Sequence, residues 1–465
     1  MWKVWVFVHI KYRHYHNCLQ VIEGANLKNY DVVIVGACTA GTYFSHLLAK
    51  EGLKVLVIDK DSQQNLCKRL DIFHFTRDSY KQFDIPVSGP GDEEWVHDFD
   101  LCMSRSALDN HPKKSRLPVS VMHLPLFIKR LRERAIDAGV DFHFEESFVD
   151  VVYNDQKQVC GITTTKGYYD TRLVVDASGI PSVVRRKIED DYIESFEITP
   201  RDKFYVLLKY VELNNPEDKI ELSTSWPYYK GWIAPQHNKS GAIVGVGANI
   251  SYEYAYKCMD KFEKAIKLPP YTLQYEEKGC TPYCRPPLSF VTDGFMVIGD
   301  AACLTKPWNG EGIPAAWVQC TPAAKVVAKA LESGKIATKQ DLWDINVIYQ
   351  RGEGAEYAGT RAMLIGAVNM SAKDNDYLFA NDIVFCDDDK GPNPNVVGTL
   401  LKGVFSGKFS MAGLVSLMSA SANGEKLKKH YQKYPESPAG YQKWAKTALK
   451  LWKKVGTMAD TVKDA

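Results

Sequence analysis

The sequence predicts an α/β chain with a Rossmann-like dinucleotide-binding domain, an inserted antiparallel β-sheet domain and a helical C-terminal region. Three observations carry that prediction. The apolar run YDVVIVG meets a glycine-bearing turn, a helical pattern follows, and a second apolar run, KVLVID, ends in an acid. Beyond residue 200, short runs rich in β-branched and aromatic residues alternate with turn residues. After residue 334 the apolar spacing is helical.

The opening segment, MWKVWVFVHIKYRHYHNC, stands before the first convincing strand, and Lys11 and Arg13 interrupt an apolar run too short to cross a bilayer. Residues 1–29 are therefore read as an N-terminal extension: an added strand, an anchor or an extended start. YDVVIVG is then a buried strand, TAGTYFSHLLAKEG a helix closing on Gly52, and KVLVID a strand ending in Asp59. Such a βαβ unit binds a diphosphate through its glycine turn and helix N-terminus, and a ribose through the acid after the second strand. The candidate nucleotide contacts are Gly36, Cys38, Thr39, Ala40 and Gly41 in the turn, with Asp59 and Lys60 after the strand.

Cys38 holds the place usually taken by the middle glycine. Either a small side chain is tolerated there because the backbone suits an L-residue, or the helix N-terminus activates the thiol for redox chemistry. A bound dinucleotide would shield the sulfur and oppose a thiolate, which favours the first reading.

Composition excludes several classes. A chain of 465 residues, 45% apolar and 25% charged, suits a globular protein of more than one domain, and a net charge of +2 gives no reason to expect nucleic acid. Eleven cysteines without an apolar leader point to free thiols and a cytoplasmic setting. Cys280 and Cys284 lack a second Cys or His pair, so no metal is expected.

Two later stretches narrow the ligand. RLVVDASGIPSVVRRKI is a strand ending in Asp176, a turn through Gly179, then Ser182 and Arg185. DGFMVIGDAACLTKPWNGEGIPAAWVQC is a strand ending in Gly299 and Asp300, a loop with Pro307, Gly310 and Gly312, then a helix from Ile313. In this order the three motifs resemble the FAD-dependent oxidoreductases of the para-hydroxybenzoate hydroxylase fold, and within them the geranylgeranyl reductase-like family. The resemblance covers residues 30 to 330. It implies FAD, with Asp300 on the ribityl chain, Gly310, Gly312 and Ile313 along the pyrimidine edge of the flavin, and Asp176 to Arg185 near the phosphate and ribose. Where the family commonly has an arginine at the start of the helix LPLFIKRLRERAIDAG, this chain has His123.

The resulting division is 1–29 extension, 30–190 FAD-binding domain (first part), 191–290 substrate-binding sheet, 291–333 FAD-binding domain (last part) and 334–465 helical region. KFYVLLKYVEL, KIELSTSW, GWIAP and GAIVGVGANI read as strands of the sheet, followed by a helix around Tyr254 to Ile266. GVGANI lacks a third glycine and a following helix, so a glycine-containing strand is preferred to a second nucleotide turn.

Geranylgeranyl reductases carry a Tyr-x-Trp-x-Phe-Pro strand facing the flavin. In YYKGWIAPQ, Trp232 and Pro235 match it, Lys230 and Ala234 replace the aromatics, and Tyr229 is one residue out of register. Flavin-dependent halogenases share a related pattern, and Trp232 has the alternative of being a core tryptophan. Glu311 is a candidate proton donor or a cap of the following helix, the cap being preferred. Cys67 sits where some family members have a functional cysteine, but Lys68 and Arg69 follow it, which favours an ordinary thiol.

The implied activity is hydride transfer from reduced FAD to a carbon–carbon double bond of a hydrophobic, isoprenoid-type substrate, with NAD(P)H or a ferredoxin-like carrier as electron donor. The alternatives are an oxygen-using monooxygenase or halogenase of the same fold, and a non-turnover electron-transfer or redox-sensing flavoprotein. The basic segment KHYQKYPESPAGYQKWAKTALKLWKKV either docks on its own domain, the commoner outcome, or gives a cytoplasmic protein peripheral membrane contact.

Overall fold

The computed structural model describes residues 29–457 apart from 68–70, 107, 109, 216–222, 226–229, 236–240 and 368–369. The segment 1–28, Lys68, Arg69 and Tyr229 thus lie outside the described residues, as does most of KIELSTSW. Two eight-stranded sheets organise the chain. In the first, Tyr30–Val35 lies between Val55–Ile58 and Tyr168–Asp176, parallel to both. Asp141–His143 extends one side and Phe295–Val297 the other. Val32, Val33 and Ile34 are fully buried, which explains an unbroken apolar run in place of an alternating one. Helices Thr39–Lys50 and Ile313–Leu331 pack together, so the first and third motifs share a wall.

The second sheet runs in the order Tyr271–Pro282, Lys203–Leu213, Gly241–Asn249, Lys230–Pro235, Ser223–Ser225, Trp95–Arg105, Lys113–His123, Ile72–Thr76. It is not confined to 191–290, because three strands come from before residue 124. These were illegible because Trp95–Arg105 carries Asp98, Asp100 and Ser104 on a strand with a half-solvated face, which gives no apolar run. Helix Tyr252–Ala265, capped where Ser251 accepts from the Tyr254 amide, buries Ala255, Met259 and Phe262 against Leu207, Val211, Val244 and Val246.

GVGANI lies in strand Gly241–Asn249 except for Ile250, and a helix, Tyr252–Ala265, does follow it, but its glycines sit in the strand and form no nucleotide turn. Its glycines serve packing. A Cβ on Gly245 would fall within the indole of Trp232, and one on Gly247 within the ring of Phe204. The terminal helix Tyr441–Val455 docks: Tyr441, Trp444, Ala448 and Trp452 are buried, and the indoles of Trp444 and Trp452 donate to the His430 carbonyl and the Tyr431 hydroxyl. Its lysines at 443, 446, 450 and 453 are exposed. No helix among the described residues is long and apolar enough to cross a membrane.

Gly245→Val should destabilise the protein by about 1–3 kcal/mol, because the indole must leave its seat. The lowered denaturant midpoint should be largely restored when Trp232→Ala is added, a coupling that a general strand-propensity effect would not produce.

Candidate FAD and active site

The site begins at a backbone collision that only glycine avoids. Gly36 has φ +112°, and a Cβ there would overlap the Ala177 carbonyl; a Cβ on Gly41 would overlap the Gly36 carbonyl. The first turn is thereby pressed onto the turn that follows Asp176. Cys38, the N-cap of helix Thr39–Lys50, has φ −80° and ψ −167°, extended backbone open to any L-residue. The first helical bond runs from the Thr42 amide to the Cys38 carbonyl at 3.0 Å. The amides of Ala40 and Gly41 stay without a partner among the described residues, as a diphosphate site requires. The Asp59 carboxylate accepts from the amides of Ala37 at 2.8 Å and Asp61 at 2.9 Å, which holds the acid at the mouth of the turn. The Lys60 ammonium, largely exposed, lies 3.5 Å from Asp61.

Cys38 has company that the sequence did not reveal. Cys67, held at φ +58°, hydrogen-bonds its thiol to Cys38, which lowers the Cys38 pKa and raises that of Cys67. Neither thiol is therefore an isolated bystander.

Asp176 is also corrected. Its carboxylate is fully buried and accepts from the Ser178 amide and hydroxyl and from the amides of Val184 and Arg185, leaving no oxygen for a cofactor. Its role is to fold the turn that carries Gly179. From that turn the Ser182 hydroxyl and Arg185 Nε both donate to the Ala301 carbonyl, tying the second motif to the third. His123 caps the start of helix Leu124–Asp137, but its Nδ1 is 2.8 Å from Asp71, and that carboxylate raises its pKa. The imidazole is committed to Asp71 and is no free substitute for an arginine.

The third motif presents the acid that the resemblance assigns to the ribityl chain. Asp300 Oδ1 accepts from the Thr305 hydroxyl at 2.9 Å, and Thr305 shares a 2.7 Å contact with Thr281 of the second sheet. Asp300 Oδ2 has no partner among the described residues, and burial pushes the carboxyl up to about 6. The loop beyond is closed by the Gly310 amide on the Lys306 carbonyl and the Lys306 amide on the Glu311 carbonyl, with the Tyr283 hydroxyl on the Pro307 carbonyl. Gly312 packs beside Asp300 and Thr305, and the helix starts at Ile313.

Above this loop stands strand Lys230–Pro235. Lys230 Nζ donates to the Asn309 carbonyl at 2.5 Å and lies 5.9 Å from the Trp232 ring, so both side chains occupy the loop-facing side of the strand. Burial pulls Lys230 down to about 8, opposed by the Glu311 carboxylate. Buried His74, also near Lys230, falls to about 4 and is neutral at pH 7. Glu311 is corrected as a helix cap: its carboxylate accepts from the Thr76 hydroxyl at 3.1 Å, joining the loop to strand Ile72–Thr76. Sequence reasoning treated Lys230 as a lost aromatic and missed Thr305 and His74. Only the alternation of Lys230 with Trp232 on one strand could have signalled the lysine.

These observations fit FAD: a glycine cradle, two unpaired amides, and an acid with one free oxygen. Asp300→Asn should weaken FAD binding about 10- to 100-fold, the worth of a hydrogen bond to a charged group, measured by flavin fluorescence titration. The raised carboxyl favours the folded apoprotein below the unfolded pKa and loses that contribution as pH rises through about 6. The variant's apoprotein should therefore show a flatter melting temperature between pH 4 and 6.

Residues 29–250 match the family model described as an FAD binding domain. A digeranylgeranylglycerophospholipid reductase of Sulfolobus acidocaldarius is 24% identical over 442 residues, spanning 89% of this chain and 95% of that protein. Digeranylgeranylglycerophospholipid reductase 1 of Methanococcoides burtonii is 25% identical, over 67% of this chain and 77% of its own. Among solved structures, a geranylgeranyl bacteriochlorophyll reductase-like protein from Thermoplasma acidophilum has a TM-score of 0.69 at 20% identity, covering 85% of this chain and 100% of that one. The flavin-dependent brominase Bmp2 shares the fold less closely, with a TM-score of 0.61 at 18% identity over 86% and 100%. With three loops meeting as that fold requires, the chain is an FAD-dependent oxidoreductase similar to the geranylgeranyl reductase-like proteins.

Proposed function

We propose that the protein reduces carbon–carbon double bonds in the prenyl chains of a lipid, of the digeranylgeranylglycerophospholipid class. The observation that carries this reading is the similarity along nearly the whole length of a reductase named for that substrate. Ala40 and Gly41 would hold the diphosphate, Asp59 the adenosine ribose, Asp300 the ribityl hydroxyls, and the start of helix Ile313–Leu331 the pyrimidine edge of the flavin. Bound and reduced, FAD supplies a hydride to one carbon of the alkene. Electrons come from NAD(P)H or a ferredoxin-like carrier.

The chain's own residues do the rest. Trp232 offers an apolar wall against which an alkene can lie, and the strand above the loop excludes water. Lys230 holds a proton at Nζ with a pKa suited to donation near neutrality. Glu311, anchored by Thr76, keeps the loop beneath Lys230 and balances its charge. Trp232 and Glu311 thus remain in the reading, with Lys230 as the proton donor.

Photoreduced protein should be reoxidised without oxygen by a detergent-dispersed prenyl lipid, and the product should gain two hydrogens per bond. Reoxidation by oxygen alone, with hydroxylation or halogenation of an added acceptor, would instead establish the oxygen-using reading. Lys230→Met should lower kcat about 100-fold while leaving FAD content intact. In the wild type, activity should fall as pH rises through about 8, as the lysine loses its proton.

A further inference from the structure

Helices Val396–Phe405 and Met411–Tyr431 are consecutive, and their inner sides supply Leu400 and Leu414 to a core with Met370, Leu378 and Phe409. Their outer sides are apolar too. Val397, Leu401 and Phe405 recur at four-residue spacing on the first helix, and Met411, Val415 and Met418 follow on the second. All six are exposed, Phe405 at 88% and Val397 at 68%. Isolated exposed apolar residues are ordinary, but a run of this kind on two adjoining helices is not.

Charge selects the occupant. From Val396 to Gly424 there is no Asp or Glu, and the only charges are Lys402 and Lys408, both exposed. Beside the face opens a groove of about 550 Å³, with Ile365, Met411, Val415, Ala420 and Val455 in its walls and Lys454 of the basic terminal helix among its lining residues. Ile365 and Val455 also pack in the cluster of Phe204, Tyr283 and Trp308. Trp308 lies between Pro307 and Asn309, within the loop beneath Lys230. The groove and the loop beneath Lys230 thus share one cluster of packed side chains.

We propose that this face seats on a lipid bilayer bearing anionic headgroups. Phe405, Val397 and their neighbours enter the acyl boundary, and Lys402, Lys408 and Lys454 meet the headgroups. The groove admits the prenyl chain of the substrate, a step that rests on the proposed reaction; the docking itself does not. Contact thus falls on the helix pair and not on the aromatic face of the terminal helix, which is spent on docking.

The test is flotation of the intact FAD-loaded protein with phosphatidylcholine vesicles, with and without phosphatidylglycerol. Wild-type protein should float with the anionic vesicles, and Val397→Asp combined with Phe405→Glu should reduce partitioning at least about 10-fold with unchanged flavin content and melting temperature. Lys402→Glu combined with Lys408→Glu should weaken binding only to anionic vesicles, more so at low salt. Failure of the wild type to float, or a dimer in light scattering that the Val397 and Phe405 changes dissociate, would overturn the docking. Flotation without turnover of a dispersed prenyl lipid would retain the docking and defeat the reaction, so the two failures can be told apart.

Discussion

The architecture depends on one close approach of main chain to main chain, the seat of Gly36 on the Ala177 carbonyl. That contact leaves no room for a side chain, and so fixes how far the first turn stands from the second. The rest of the convergence follows the same rule. Gly299 lies where an added Cβ would be 2.8 Å from that of Ala40, and Ser182 and Arg185 reach the Ala301 carbonyl. Loops far apart in sequence are thus registered by close packing at glycines and by side chains anchored on a main-chain carbonyl.

Within that frame the polar groups divide between bracing and availability. Asp176 spends all its hydrogen-bonding capacity on its own turn, whereas Asp300 keeps an oxygen in reserve. Burial shifts both carboxyls in the same direction, and their partners decide the difference in role. Around Lys230 the same logic holds a lysine and an imidazole close together, because burial keeps His74 uncharged. Two cations and no acid there would not be tolerated; one lysine facing Glu311 is.

Much of the site was legible because its signals are local. Gly36, Asp59 and Asp300 stand just past the ends of apolar strands and Gly41 in the first turn of a helix, where a few adjacent residues specify strand, turn and helix start. What could not be read depends on pairing across the fold. Cys67 meets Cys38, Glu311 meets Thr76, and Lys230 meets Asn309, none of which any spacing announces. Strands Trp95–Arg105 and Lys113–His123 were hidden by their wet faces, and with them the true extent of the second sheet. The outer apolar face at Phe405 was concealed for the opposite reason: in sequence an exposed apolar side chain looks like a buried one.

That second sheet has a consequence for how the chain acquires its structure. Ser223–Ser225 pairs with Trp95–Arg105, and Phe295–Val297 with Tyr168–Asp176, so each sheet stays unfinished until more than a hundred further residues have left the ribosome. Unpaired edges persist during that interval, inviting chaperone engagement and self-association of the nascent polypeptide. Neither half can be excised as an autonomous folding unit, since a cut between them would strip strands from both.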